Sequence, residues 1–238
     1  MENKSSIVSA KKRLAWGVFA LYLTITCFLS LGFSTQSQAI EILPISTHLA
    51  SQLKQRYGET ALQRISSWQN LVERNQHVSI SEKLDLVNRF FNGIRFVSDQ
   101  AHWRFSDYWA TPVELLASNG GDCEDFAIAK YFTLRAMGIS VARLRLTYVK
   151  AIELNRAHMV LSYTPVEGVD PLVLDNLRRE ILPASKRADL DPVYSFNADG
   201  LWLSKQKGET HRLGTGNDVT LWRELRDRID LEEVLNDN

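Results

Sequence analysis

Cys123 is the residue of this sequence whose surroundings are best suited to covalent chemistry. Gly120, Gly121 and Asp122 precede it, and a long apolar segment with helical periodicity starts at or next to it. The free N–H groups and the dipole of a helix N-terminus stabilise an anion, so a thiol there is biased towards the reactive thiolate. A thiolate nucleophile also needs a proton acceptor and a group that orients that acceptor.

His158 is the histidine best placed to accept the proton, because it opens an apolar, strand-like run that ends at Tyr163. The other four histidines lie in polar or aromatic segments: His48, His77, His102 and His211. Of these, His102 stays open as an alternative. Asp175 follows the next apolar run, and adjacent antiparallel strands would place it beside His158. A carboxylate there would hold the imidazole tautomer and stabilise the imidazolium.

Each of these residue types also has an ordinary structural explanation. A histidine in a strand is more often a satisfied core residue, and an aspartate at a strand end is more often a turn former. Periodicity alone therefore leaves the catalytic and the structural explanations of Cys123, His158 and Asp175 equally open.

The start of the chain has the three-part layout of a secretory signal. Lys11, Lys12 and Arg13 precede the uncharged segment 14–33, and small side chains follow at Ser37 and Ala39. An uncleaved membrane anchor is the alternative, since the apolar run is about long enough to span a bilayer. We therefore predict a signal peptide over residues 1–39, a single domain over residues 40–238, and a location outside the cytoplasm.

Charge and cysteine content narrow the function of the mature chain. The whole sequence has 28 basic and 28 acidic residues; residues 1–39 hold four and one of them, which leaves 24 and 27 and a net charge of −3. A nucleic-acid binder normally has a basic excess, so no nucleic-acid partner is expected. Cys27 leaves with the signal, so Cys123 would be a lone thiol in an oxidising compartment, where nucleophilic chemistry is the usual reason to retain one.

The predicted elements are helices first and strands later. Residues 47–94 have helical periodicity, with a capping pair at Ser79 and Glu82, and an aromatic loop over 96–121 contains a short helix near 112–117. A buried helix spans 123–137. The later elements are strands near 144–148, 158–163, 172–174, 193–196 and 201–203, and a charged helix over 219–234. This order predicts an α+β domain with helices packed on an antiparallel sheet.

The motifs around these residues resemble those of a known family. Gly120-Gly121-Asp122-Cys123-Glu124-Asp125-Phe126-Ala127, Ala157-His158-Met159-Val160-Leu161 and Leu174-Asp175-Asn176 are similar to three boxes of the LapG-type bacterial transglutaminase-like cysteine proteases, with further matches at 107–112 and 192–197. The resemblance runs from about residue 45 to about residue 205. It implies a papain-like transglutaminase core with Cys123 as nucleophile, His158 as base and Asp175 as its orienting partner.

The same resemblance implies a biological setting. LapG-type proteases act in the periplasm and cleave the N-terminal retention segment of a large surface adhesin, which disperses a biofilm. An inner-membrane receptor of the LapD type sequesters the protease when cyclic di-GMP is high. A transglutaminase or other acyltransferase using the same triad is one alternative, and a non-enzymatic periplasmic adaptor is the other.

Carboxylates crowd the predicted nucleophile. Asp122, Glu124 and Asp125 would raise the pKa of a neighbouring thiol, against the effect of the helix N-terminus. A bound hard cation would neutralise them, and oxygen-only ligands favour calcium over zinc. The resemblance implies calcium dependence, with Asp122 and Glu124 at calcium-binding positions. Asp125 and, from the preceding loop, Asp99 are further candidate ligands.

Overall fold

The computed structural model describes residues 45–204 and 210–236. The predicted secretory segment, residues 1–39, lies outside the described residues, so both it and the predicted division into leader and mature domain stay predictions. Within the two described ranges, no helix combines the length and the apolar character that a membrane span requires.

Three helices form the N-terminal part of the described chain: α1 (Thr47–Tyr57), α2 (Glu59–Arg74) and α3 (Ile80–Phe91). The predicted cap of α3 is present, because the Ser79 side chain accepts a hydrogen bond from the Glu82 backbone N–H at 3.3 Å. Leu84, Val87 and Phe91 are buried on one face of this helix, as the spacing predicts.

The aromatic segment before Cys123 contains two short helices, α4 (Asp99–His102) and α5 (Pro112–Ser118). The sequence predicts α5, which starts with a capping box between Thr111 and Glu114. It does not predict α4, because four residues are too few to display a helical period.

Helix α6 (Cys123–Ala136) is the central helix of the domain, and most of its side chains are buried. Trp68 of α2 donates its indole N–H to Thr133 at 2.8 Å, so a polar group in the buried interface is satisfied. The helix ends near Gly138, whose φ of 86° lies in the left-handed region that favours glycine.

Seven strands within the described residues form one antiparallel sheet: β1 (Leu144–Ala151), β2 (Arg156–Tyr163), β3 (Leu172–Leu174), β4 (Leu182–Pro183), β5 (Leu190–Phe196), β6 (Leu201–Ser204) and β7 (Thr210–Gly214). Their order is β4-β3-β2-β1-β5-β6-β7. Each predicted strand is present, and β4 and β7 are additions at the two edges. With the helices packed on this sheet, the α+β prediction is confirmed.

The two faces of the sheet have different surroundings. Leu146 of β1 and Leu161 of β2 belong to the main core, together with side chains of α1, α2, α3, α5 and α6. The alternate positions, including Val149, Val160 and Val173, form a smaller apolar cluster on the other face. A cavity of about 530 Å³ lies against that second cluster, and Arg145 and Arg187 are among its lining residues.

The C-terminal helix α7 (Thr220–Asn236) closes the main core. Its Trp222 is fully buried and stacks on Phe132 of α6, with ring centroids 5.5 Å apart. Arg228 of the same helix donates a hydrogen bond to the Trp109 carbonyl, and Thr111 donates to Glu232 at 2.7 Å. The last helix therefore contacts both the Cys123 helix and the loop that precedes α5.

Candidate active site

Cys123 is the first residue of α6, and its position depends on a tight turn before it. The Asp122 backbone N–H donates to Asp125 Oδ2 at 3.1 Å, and the Ala110 N–H donates to Asp125 Oδ1 at 2.7 Å. A Cβ at Gly121 would collide with the Asp125 carboxylate, so only glycine fits this close approach. The buried Asp125 therefore connects the Cys123 turn to the loop before α5.

The Cys123 thiol is half-buried and lies between Glu124 and the start of β2. It donates a hydrogen bond to Glu124 Oε2 at 3.0 Å, and the Met159 backbone N–H lies where it favours the charged form of the sulfur and so lowers its pKa. Burial raises the pKa of this thiol far above its ordinary value, and the nearby Glu124 and Asp122 charges raise it further. These two effects oppose the stabilisation that the N-terminus of α6 offers to a thiolate.

His158 and Asp175 form the buried pair that the sequence predicts. His158 Nε2 lies 2.8 Å from Asp175 Oδ1, and the two side chains are 2% and 0% exposed. Because β2 and β3 are antiparallel neighbours, residues 17 positions apart in the sequence come into contact. The thiol itself donates to Glu124, so the Asp175–His158 part of the predicted triad is formed here and the Cys123–His158 hydrogen bond is not.

Arg187 holds the second oxygen of Asp175. Its Nη2 donates to Asp175 Oδ2 at 2.7 Å, and the Leu177 backbone N–H donates to Asp175 Oδ1 at 2.9 Å. Burial alone would raise the pKa of Asp175, but hydrogen bonds from His158, Leu177 and Arg187 together hold it well below its ordinary value. Asp175 is therefore an anion that the surrounding donors orient on both sides.

The predicted metal ligands come together beside Cys123. Ligand atoms of Asp99, Asp122 and Asp125 lie within 4.8 Å of one another, and so do those of Asp99, Asp107 and Glu124. Sequence reasoning did not include Asp107 among the ligands. The sequence feature that could have indicated Asp107 is its position at the start of the 107–112 motif. A motif match suggests a functional residue, but it does not show which side chains lie close together.

The electrostatics of this carboxylate cluster indicate uncompensated negative charge. Burial raises the pKa of Asp99 to about 6 and that of Glu124 to about 9, and neighbouring carboxylates add to both shifts. Burial likewise raises the pKa of Asp125 well above its ordinary value. Asp99 Oδ1 and Asp122 Oδ1 are buried without a hydrogen-bond partner, which is the environment a hard cation would complete.

Comparison with known proteins agrees with this geometry. Residues 55–191 match the family model of the bacterial transglutaminase-like cysteine proteinases. This chain belongs to that family. Solved structures of LapG from Legionella pneumophila are also similar to it.

The EGTA-treated LapG structure is 42% identical, with a TM-score of 0.68, and the match covers 78% of this chain and 98% of that one. The calcium-bound structure is 43% identical, with a TM-score of 0.66 and coverage of 78% and 99%. No curated protein matches the chain.

In this cysteine proteinase family member, helix α3 holds the segment that carries Asp175. Asn92, at the C-terminus of α3, donates to the Asp175 carbonyl at 2.8 Å, and Asn88, one turn earlier, donates to the Arg179 carbonyl at 3.0 Å. Asn88 in turn accepts a hydrogen bond from Lys130 of α6 at 2.8 Å. A buried polar network therefore connects the Cys123 helix to the Asp175 segment.

Lys130 gives this network a pH dependence. Burial lowers the pKa of Lys130 to about 7, although the Asp175 charge opposes the shift. Since an unfolded lysine has a pKa of about 10.4, the unfolded state binds more protons between these values, and the free energy of unfolding rises with pH there. We expect the free energy of unfolding of wild type to rise relative to that of Lys130→Met by up to about 1.4 kcal/mol per pH unit above pH 7.

Urea denaturation of wild type and Lys130→Met at pH 5.5, 7 and 9, at one calcium concentration, measures this difference. Lys150→Met, which removes an exposed lysine from β1, is the matched control. If the free energies of unfolding of wild type and Lys130→Met differ by the same amount at all three pH values, the expected titration of Lys130 is wrong.

Proposed function

We propose that this chain is a calcium-dependent cysteine endopeptidase of the periplasm with Cys123, His158 and Asp175 as its catalytic triad. The observation that carries the proposal is the buried His158–Asp175 pair, 2.8 Å apart, in a member of a cysteine proteinase family. The Met159 amide that contacts the Cys123 sulfur belongs to the residue after His158, so the nucleophile lies beside the strand that carries the base.

The proposed reaction is acyl transfer to water. The Cys123 thiolate attacks the peptide carbonyl, and the backbone N–H groups at the start of α6 stabilise the resulting oxyanion. His158, held in one tautomer by Asp175, gives its proton to the leaving amine. His158 then takes a proton from the water that attacks the acyl enzyme, and release of the carboxylic acid restores the Cys123 thiolate beside protonated His158.

We propose that calcium is held by Asp99, Asp122, Glu124 and Asp125, with Asp107 as an additional ligand. The orphaned carboxylate oxygens of Asp99 and Asp122 support this assignment, as does the existence of a calcium-bound structure of the similar Legionella LapG. The cation would supply positive charge that neutralises the cluster, and this lowers the electrostatic cost of a thiolate at Cys123.

The proposed substrate is the N-terminal retention segment of a large surface adhesin, and the proposed regulator is an inner-membrane cyclic di-GMP receptor of the LapD type. The resemblance to LapG-type proteases supports both, together with the secretory signal that the sequence predicts over residues 1–39. Cleavage would release the adhesin and disperse the biofilm, and the receptor would sequester the protease.

The direct test is to incubate residues 40–238 with the N-terminal segment of a large adhesin from the same genome and to determine product masses. We expect one defined cut with the mass of water added, and none with Cys123→Ala. Crosslinked product would favour a transglutaminase. If no product forms while Cys123 still reacts rapidly with a thiol probe, the assigned substrate is wrong. If Cys123 also fails to react with the probe, the result favours the non-enzymatic adaptor.

A further inference from the structure

Arg187 is the buried cation that completes the surroundings of the Asp175 carboxylate. It lies between the 3₁₀ turn Ala184–Lys186 and β5, and its side chain is 3% exposed. One Asp175 oxygen faces His158 at 2.8 Å, and the other accepts from Arg187 at 2.7 Å. The orientation of the carboxylate that meets the imidazole is therefore set from its opposite side.

A second carboxylate holds the guanidinium itself. Arg187 Nε donates to Asp189 Oδ1 at 2.9 Å, and Nη2 donates to Asp189 Oδ2 at 2.8 Å. This two-point contact fixes the guanidinium plane in a way that the single ammonium of a lysine could not. Asp189 is 27% exposed, so a chain of ion pairs runs from the protein surface through Arg187 and Asp175 to His158.

We propose that Arg187 is a positioning residue of the active site, which holds the Asp175 carboxylate in the orientation that aligns His158 for catalysis. The proposal rests on the triad assigned above. A carboxylate as buried as Asp175 requires a hydrogen-bond donor on each oxygen. Without Arg187, rotation of the Asp175 side chain would also turn the oxygen that faces His158 away from the imidazole. Misplacement of a reacting group by about 1 Å can cost about 10²-fold in rate.

The cavity on the far face of the sheet makes this role testable by chemical rescue. Arg187 lines that cavity, which has a volume of about 530 Å³. Truncation of the side chain would leave a space open to a small planar cation, so added guanidinium ion can replace the missing group beside Asp175. Lysine at this position would keep the positive charge but lose the two-point contact of the guanidinium. The kcat of Arg187→Lys is therefore expected to lie between those of wild type and Arg187→Ala.

The experiment uses the full chain, residues 1–238, at saturating calcium. We expect Arg187→Ala to lose about 10²-fold in kcat for adhesin-segment cleavage with KM unchanged, and guanidinium chloride, far below denaturing concentrations, to restore a large part of it. Lys186→Ala, which removes the neighbouring exposed cation, is the matched control and keeps the wild-type rate with or without guanidinium.

Two readouts do not need the substrate. The first is the alkylation rate of Cys123 by iodoacetamide, followed on its tryptic peptide by mass spectrometry, and the second is the NMR signal of the His158 ring proton that faces Asp175. Both are expected to change in Arg187→Ala and to return with guanidinium. If they do so while no adhesin segment is cut, the positioning role stands and the proposed substrate fails.

Other outcomes would overturn the proposal. A folded Arg187→Ala with wild-type kcat, alkylation rate and ring-proton signal would show that Asp175 needs no help from Arg187. A loss that guanidinium does not restore, accompanied by a lower melting temperature, would assign Arg187 a purely structural role. Should Arg187→Ala not fold, Arg187→Lys decides: a lower kcat at unchanged KM supports the proposal, and a lower melting temperature with unchanged kcat overturns it.

Discussion

Replacing Cys123 with alanine is expected to reduce the cleavage rate by about 10⁶-fold, and adding His158→Ala is expected to reduce it no further. The Cys123 thiol forms the bond to the acyl group. His158 acts only on the reaction that this thiol starts, because it protonates the amine that leaves the substrate. Once the nucleophile is gone, the base has nothing to activate. The two residues therefore act as one unit, and their effects on the free energy of activation do not add.

Rates for the two single variants and the double variant, measured on the same peptide substrate, test this coupling. Thermal unfolding checks that each variant is folded, which matters most for His158 because its loss leaves Asp175 with fewer donors. His48→Ala, at an exposed histidine of α1, is the control and keeps the wild-type rate. If the losses from Cys123 and His158 instead multiplied, the assignment of a shared catalytic step would be wrong.

Calcium removal is expected to abolish cleavage and to lower the melting temperature by about 5–10 °C. Calcium at about 100 times its dissociation constant contributes about 2.7 kcal/mol, and 1 kcal/mol shifts the melting temperature of a domain of this size by about 2–4 °C. Without the cation, Glu124 keeps the thiol proton in a hydrogen bond, and the cluster raises the pKa of Cys123. Loss of stability and loss of activity thus share one cause.

Asp99→Asn separates this explanation from a general loss of stability. It removes one of the crowded charges, while its remaining oxygen can still accept from the Tyr108 N–H. We expect a higher melting temperature than wild type in chelator and a much smaller rise when calcium is added. Asp230→Asn, at an exposed position of α7, should respond to calcium as wild type does. Unchanged activity and melting temperature of wild type in chelator would reject the calcium role.

The local features of the fold could be predicted from the sequence because they are encoded over short distances. The Ser79 cap, the central helix after Gly121 and the strand that begins near His158 each depend on a few neighbouring residues, and each is present. The His158–Asp175 contact could also be predicted, since two consecutive antiparallel strands bring such residues together. The short edge strands β4 and β7 were missed because their residues show little alternation.

The surroundings of the site could not be predicted, because they depend on contacts between distant segments. Arg187 is one of 28 basic residues, and its sequence neighbours do not indicate that it pairs with Asp175. Asp107 joins the carboxylate cluster only because the loop before α5 folds back onto the start of α6. The hydrogen bond from the Cys123 thiol to Glu124 depends on side-chain conformations that no residue pattern specifies.

The packing of α7 has a consequence for the order in which the domain is completed. A chain is synthesised from its N-terminus, so Trp222 and Arg228 become available after every strand of the sheet. Until then the buried aromatic face of α6 has no cover, and the Trp109 loop lacks its anchor. The loop that donates the Ala110 N–H to Asp125 is therefore anchored only after α7 has been made, so we expect a chain that ends before Thr220 to hold the turn at Cys123 less firmly.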